Sequence, residues 1–148
     1  MKSQKNLFLF IIGILALALS SCTSLQVFDD ALPESEQTTA NFSMMKVTSY
    51  NGIAVNWEKA KFPAGSTVLG ANVDIIRGGL KYELRGMEFS YRFMPETEYY
   101  VMGTTKDMKW GVHIYDKPPA SGFGSQPEPL AFIPFVNQPV FNKGENIK

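Results

Sequence analysis

Thiol and imidazole side chains are almost missing from this sequence. Its 148 residues include one cysteine, Cys22, and one histidine, His113. An intramolecular disulfide needs two cysteines, so a disulfide framework is excluded. Zinc and iron–sulfur sites are built from several Cys and His ligands, so the options for metal binding and for acid–base chemistry are sharply limited.

An excess of charge of either sign is also missing. The chain has 14 Lys plus Arg and 14 Asp plus Glu. Loss of residues 1–21 would remove Lys2 and Lys5, leaving 12 basic against 14 acidic residues, a net charge of −2. This balance gives no electrostatic case for nucleic acid or anionic lipid as a partner. The length suits a single domain.

No apolar run is long enough to span a bilayer. The longest, Leu7–Leu19, is shorter than the ~20 residues that a transmembrane helix needs. It follows Lys2 and Lys5, and a basic start followed by a short apolar run is typical of a secretory signal. We therefore predict a signal peptide over residues 1–21. An uncleaved N-terminal anchor helix is the alternative.

The apolar run ends in Leu19-Ser20-Ser21-Cys22, which resembles the lipobox of bacterial lipoproteins. The resemblance implies cleavage after Ser21 and acyl chains such as palmitate on Cys22, which becomes the first residue of the mature chain. Two or three acyl chains hold a protein on a membrane far more firmly than one. Thr23 in the next position implies the outer membrane, on its periplasmic or surface face. An ordinary secreted protein with a chance cysteine is the alternative.

Residues 22–40 are rich in Ser, Thr, Gln, Asp and Glu and show no helical or alternating period. We expect a lipidated flexible tether here, spanning roughly 20–25 Å as a coil. Asp29 and Asp30 are adjacent acids without further oxygen ligands at loop spacing, which indicates solvated charge rather than a cation site.

Residues 41–116 carry the patterns of short strands. Asn51-Gly52 suits a type I′ turn, so we predict a hairpin with strands over 42–50 and 53–58. Alternation predicts further strands over 69–76, 81–84, 87–94, 99–105 and 110–115. No window shows a convincing helical period. The expected fold is all-β, a small antiparallel β-sandwich of immunoglobulin-like or transthyretin-like size.

Three stretches of this region resemble the layout of PEGA-like β-domains. They are Phe62-Pro63-Ala64-Gly65-Ser66, the strand Phe89–Phe93 with Met94-Pro95, and Tyr99-Tyr100-Val101. The resemblance covers roughly residues 44–105. It implies a small β-sandwich at the cell envelope and assigns no functional residue.

The C-terminal segment, residues 117–148, contains six prolines, which exclude a helix and a central strand. Its stretch 130–141 is nevertheless rich in Phe, Val, Ile and Leu. Either this segment packs partly on the domain as an edge cover, or it is a docking strip for a partner.

Catalytic and cofactor motifs are not evident. His113 is expected on the outer face of its strand, without a paired Cys, His or Asp nearby. Glu96 and Glu98 could pair beside a turn, but glycosidases hold two carboxylates in a shaped cleft that a domain this small can hardly form. Gly78-Gly79 precedes no helix that could bind phosphate. We predict a protein that is not an enzyme and has no cofactor or metal.

Four aromatic residues could form a platform for sugar or peptide, although about half of them must be core in a sheet. They are Tyr99, Tyr100, Trp110 and Tyr115. The sequence therefore predicts a non-enzymatic binding or assembly module whose partner is an envelope protein, a host protein or cell-wall glycan. A glycan- or peptide-binding module that uses exposed aromatics is the alternative.

Overall fold

The structure, a computed structural model, describes residues 24–120 and 125–139. The predicted signal peptide and Cys22 lie outside the described residues. Besides a 3-10 helix at Glu34–Glu36, the described chain forms ten strands. They are β1 (Gln26–Val27), β2 (Gln37–Ser43), β3 (Met45–Tyr50), β4 (Ile53–Trp57), β5 (Lys59–Pro63), β6 (Gly65–Arg77), β7 (Leu80–Phe93), β8 (Glu98–Lys106), β9 (Lys109–Tyr115) and β10 (Ala131–Pro134).

The strands form two sheets that pack face to face. One sheet has the order β1-β5-β2-β8-β9-β10, and the other has the order β4-β3-β6-β7. This architecture confirms the prediction of a small β-sandwich. Two neighbouring pairs, β1 with β5 and β2 with β8, are parallel, and the other pairs are antiparallel.

Large apolar side chains from both sheets fill the core. The alternating stretch of β7 points inward as expected: Phe89 and Phe93 are buried and Tyr91 is half-buried. The ring of Phe93 packs edge-on against Phe62 at 5.2 Å. Burying a side chain of this size contributes roughly 1.5–3 kcal/mol. Contacts of this kind between the two sheets hold the sandwich together.

The predicted hairpin is present between β3 and β4. Asn51 and Gly52 have φ angles of 48° and 83°, which a type I′ turn requires. The predicted first strand began too early, because Phe42 and Ser43 belong to β2 in the other sheet. Met44, with φ 57°, lies between β2 and β3, where the chain crosses from one sheet to the other.

Residues 81–84 and 87–94 were expected as separate strands, but a single strand, β7, runs from Leu80 to Phe93. Its register against β6 shifts between Ala71 and Val73. Gly86 has φ 65°, and its N–H donates to Asn72 Oδ1 at 3.1 Å. The glycine that suggested a turn is therefore a bulge, which lets one strand continue.

The structure contradicts the predicted tether at two places, residues 37–40 and Phe28. Gln37–Ala40 lie in β2, where inward-facing positions are buried. Phe28 packs against Tyr50 with ring centroids 4.6 Å apart. Burial of these side chains outweighs the polar composition on which the tether prediction was based. Cys22 lies four residues before β1, a separation of about 14 Å at full extension.

The C-terminal segment packs on the sandwich as far as it is described. β10 pairs with β9, and Phe135 is buried. The N–H of Val136 donates to the carbonyl of Glu88 on β7 at 2.8 Å. The segment thus contacts both sheets, which supports the edge-cover interpretation over a free docking strip. β10 is an edge strand, as its proline requires.

Candidate functional site

The four aromatic residues predicted as a platform are not displayed together. Tyr99 and Trp110 are 2% and 0% exposed, and Tyr115 is also buried. The Tyr99 ring packs on Phe93 at 5.2 Å and the Trp110 ring on Tyr82 at 5.0 Å, so both belong to the core. Only Tyr100 of the four is partly accessible to solvent.

His113 and Tyr115 lie on the outer face of β9, as the alternation predicted for His113. The Tyr115 hydroxyl lies 3.2 Å from His113 Nδ1, and the imidazole packs edge-on against Phe132 at 5.6 Å. Burial, together with the charge of Lys106, lowers the pKa of His113. The imidazole is therefore neutral at neutral pH and acts as one member of an aromatic cluster.

The outer face of the six-stranded sheet and the proline-rich segment after β9 enclose a groove of about 550 Å³. Tyr100 and Met102, alternate residues of β8, line it, and Pro118 and Pro119 form a wall. We call it the sheet-face groove. Its other lining residues are Asn41, Phe42, Ser43, Glu58, Lys59, Val101, Ala120 and Gln126.

One end of the sheet-face groove is a fixed polar cluster. Asn41 Nδ2 donates to Glu98 Oε1 at 2.8 Å, and Lys59 Nζ lies 3.4 Å from the same oxygen. The Asn41 hydrogen bond, with a smaller effect from Lys59, holds the pKa of Glu98 below its usual range. Desolvation, and then the Glu98 charge, raise the pKa of the Tyr100 hydroxyl. At neutral pH an ionised Glu98 carboxylate therefore lies beside the neutral phenol of Tyr100, next to the groove rather than in its lining.

These contacts of Glu98 can be compared with its predicted pairing with Glu96. The contacts of Glu98 are to Asn41 and Lys59, whereas Glu96 lies in the β7–β8 turn with φ 53°. A carboxylate fixed by an amide and an ammonium is a hydrogen-bond acceptor and an electrostatic contact. It lacks the raised pKa that a general acid needs.

A second groove, of about 480 Å³, lies where the chain crosses between the sheets, beside Met44 and Glu58. Its Asp74 pairs with Lys81 at 2.9 Å and with Arg85 at 3.1 Å. The Lys81 hydrogen bond, with a contribution from Arg85, lowers the pKa of Asp74. The aromatic side chain in its lining, Phe42, is buried, so this groove has no counterpart of the partly exposed Tyr100 of the sheet-face groove.

Metal ligands do not cluster in residues 24–120 and 125–139, where no group of three or more His, Cys, Asp and Glu side chains could hold an ion. Within the same residues, no helix has the length and apolar character to cross a membrane.

The chain matches no protein-family model, no curated protein and no solved structure. The lipobox and the PEGA-like resemblance therefore stay predictions.

Sequence reasoning missed most of the sheet-face groove. Asn41 and Glu98 are 57 positions apart and meet because β2 and β8 pair in parallel, with Asn41 opposite Tyr100. A local signal did exist, since Glu98, Tyr100 and Met102 alternate along one strand. The proline wall has no such signal, because its position depends on how the chain turns after β9.

Proposed function

We propose that the protein is a lipid-anchored, non-enzymatic binding module of the bacterial envelope, and that it holds a short extended peptide of another envelope protein. The observation that carries the proposal is the sheet-face groove. It combines an accessible aromatic ring at Tyr100 with a fixed set of polar groups at one end. Ligand sites typically combine a concave apolar surface with a few convergent polar groups in this way.

The chemistry of the groove favours a peptide. Tyr100, Met102 and the two prolines provide apolar contacts for side chains. Lys59 and Asn41 line the groove as hydrogen-bond donors, and Glu98 next to the groove holds both in place. An extended peptide alternates its side chains and its backbone amides, so it can use both kinds of contact at once.

The lipid anchor follows from Leu19-Ser20-Ser21-Cys22 and the apolar run before it. The short connection to β1 supports a domain held close to the bilayer rather than displayed on a long arm. Thr23 favours the outer membrane. A binding module in this position would meet segments of other envelope proteins at the membrane surface.

Site-specific photocrosslinking in the native bacterium tests the peptide. A benzophenone amino acid replaces Met102 in the groove or, as a matched control, Ser90, which is exposed on the four-stranded sheet. We expect the Met102 probe to give a discrete crosslinked protein that mass spectrometry maps to one segment. Tyr100→Ala in the same chain should reduce that product.

Two results would overturn the peptide proposal. One is a Met102 product no stronger than the Ser90 product. The other is a crosslink to cell-wall glycan that depends on Tyr100, which would assign the groove to sugar. Binding without any turnover of the captured partner is expected.

A further inference from the structure

Two hairpin turns project from the same end of the sandwich. One joins β6 to β7 at Gly78-Gly79, and the other joins β8 to β9 at Asp107-Met108. Arg77 Nη2 lies 4.0 Å from Met108 Sδ, so the two turns touch. We call residues 76–81 and 106–109 together the tip end.

The tip end displays large apolar side chains to solvent. Ile76, Leu80 and Met108 are 64%, 59% and 65% exposed. They come from both turns and lie beyond the packed core, which reaches this end with Tyr82 and Trp110. Apolar side chains grouped at a protruding end indicate an interaction surface.

The same two turns also carry cations. The tip end carries Arg77, Lys81, Lys106 and Lys109 against a single acid, Asp107. Lys81 is paired with Asp74 and Glu83, which lie farther along the strands toward the core. In a chain whose formal net charge is zero, positive charge is therefore concentrated here. The net charge of the whole chain gave no reason to expect an anionic partner, because it does not show that positive charges are grouped at the tip end.

The direction of β1 shows on which side of the sandwich the chain enters the domain. β8 runs toward the tip end, β2 is parallel to β8, and β5 is antiparallel to β2. β1 is parallel to β5, so it runs away from the tip end. The chain therefore enters β1 from the side on which the tip end lies.

We propose that the tip end docks on a membrane surface that contains anionic lipids. Ile76, Leu80 and Met108 enter the boundary between headgroups and acyl chains, and Arg77, Lys106 and Lys109 contact lipid phosphates. Apolar side chains flanked by cations are the chemistry of interfacial binding, in which burial and attraction to anionic lipid act together. This docking is independent of what the sheet-face groove holds.

Tryptophan fluorescence in vesicles tests the docking. The full chain with Met108→Trp is reconstituted into vesicles of equal parts phosphatidylglycerol and brominated phosphatidylcholine. Glu96→Trp, in the turn at the opposite end, is the matched control. Native Trp57 and Trp110 are 3% and 0% exposed, so the unsubstituted chain supplies a constant background. We expect roughly a twofold loss of Met108→Trp emission, since interfacial side chains lie about 5–10 Å deep, and no loss for Glu96→Trp.

Removing positive charges from the tip end distinguishes its docking on the membrane from mere proximity to the bilayer. Adding Lys106→Gln and Lys109→Gln to the Met108→Trp chain should remove most of the quenching, as should vesicles of phosphatidylcholine alone. An unchanged urea midpoint verifies that the substituted chain is folded.

Equal quenching at both ends, or quenching that ignores anionic lipid, would overturn the proposal. So would a tip end buried between two copies. In that case Ile76→Ser with Leu80→Ser would convert a dimer to a monomer in detergent, and Met108→Trp would not be quenched.

Discussion

At the residue scale, Gly103 shows how closely the two sheets approach each other. A Cβ atom at this position would lie 2.3 Å from Val73 Cγ1 and 3.2 Å from Ile75 Cγ1. Those two side chains are buried and belong to β6 of the opposite sheet. The site has no room for a methyl group unless the side chains of Val73 and Ile75 shift or the sheets move apart.

We therefore expect Gly103→Ala to lower the free energy of unfolding by about 1–3 kcal/mol, the usual cost of overpacking a core. Urea denaturation measures this change. Thr104→Val, at the next residue of the same strand, is the control and should have a much smaller effect. A midpoint for Gly103→Ala equal to that of the native chain would contradict the close approach.

The sequence predicted which residues share a face better than it predicted which face is buried. In β7 one face carries only large apolar groups, so its direction was clear. In β8 both faces carry an aromatic residue, with Tyr99 on one and Tyr100 on the other. Alternation could not choose between them. The packing of Tyr99 on Phe93 decides the matter, and that contact is tertiary.

At the element scale, two amide side chains fasten the C-terminal segment to the sandwich. Gln138 accepts from the Trp110 N–H at 2.9 Å and donates to the Trp110 and Phe135 carbonyls, each at 2.7 Å. Asn137 accepts from the Glu88 N–H at 3.0 Å and donates to the Gly86 carbonyl at 2.7 Å. These side chains replace backbone partners at the strand edges.

Gln138→Ala should loosen this attachment. Losing the partners of buried backbone groups costs about 1–3 kcal/mol, so we expect amide exchange at Phe135 and Ile133 to be roughly tenfold faster or more. Hydrogen–deuterium exchange read by mass spectrometry measures it. Asn56→Ala, which removes an exposed amide on β4, is the control.

Gln138→Glu makes the same prediction more specific. A carboxylate still accepts from the Trp110 N–H but cannot donate to the two carbonyls. Exchange should therefore be at least as fast as in Gln138→Ala. Native-like protection in the Glu variant would show that the two donated bonds contribute little.

Local signals predicted elements, whereas their order in the sheets could not be predicted. The Asn51-Gly52 turn and its two strands follow from residues adjacent in the chain. The β2–β8 pair joins positions 59 residues apart, such as Thr39 and Glu98, and no local pattern specifies it. The bulge at Gly86 looks like a turn because both need a positive φ.

At the scale of the whole molecule, ion pairs make the free energy of unfolding depend on pH in the acid range. The pKa values of Asp74 and Glu98 are lowered in the folded state from 3.8 and 4.5. The unfolded chain thus binds more protons, and the contribution of these groups is complete above those ordinary values and lost as the pH falls through the lowered ones. The urea concentration at the unfolding midpoint should therefore decrease as the pH is lowered through this range.

Asp74→Asn should show a smaller acid-induced drop than the native chain. Both side chains of each ion pair are partly exposed, so the effect is modest and falls with added salt. Identical pH profiles for Asp74→Asn and the native chain would exclude Asp74 as a contributor.

The proposed lipid anchor can be tested in the full chain. Cys22→Ala should leave the precursor without acyl chains, and detergent phase partitioning should move it toward the aqueous phase. Metabolic labelling with a fatty-acid analogue should be lost in parallel. Ser24→Ala, two residues later, is the control. Unchanged partitioning together with unchanged labelling would reject the lipobox.

The C-terminal attachment also affects the order of folding. β10, Asn137 and Gln138 can dock only after the strands that they cover have paired. Until they dock, the edges of β7 and β9 have unsatisfied backbone groups, which are prone to pair with other chains. The folding domain is thus most exposed to aggregation before this last step, and a chaperone that shields strand edges would act in that interval.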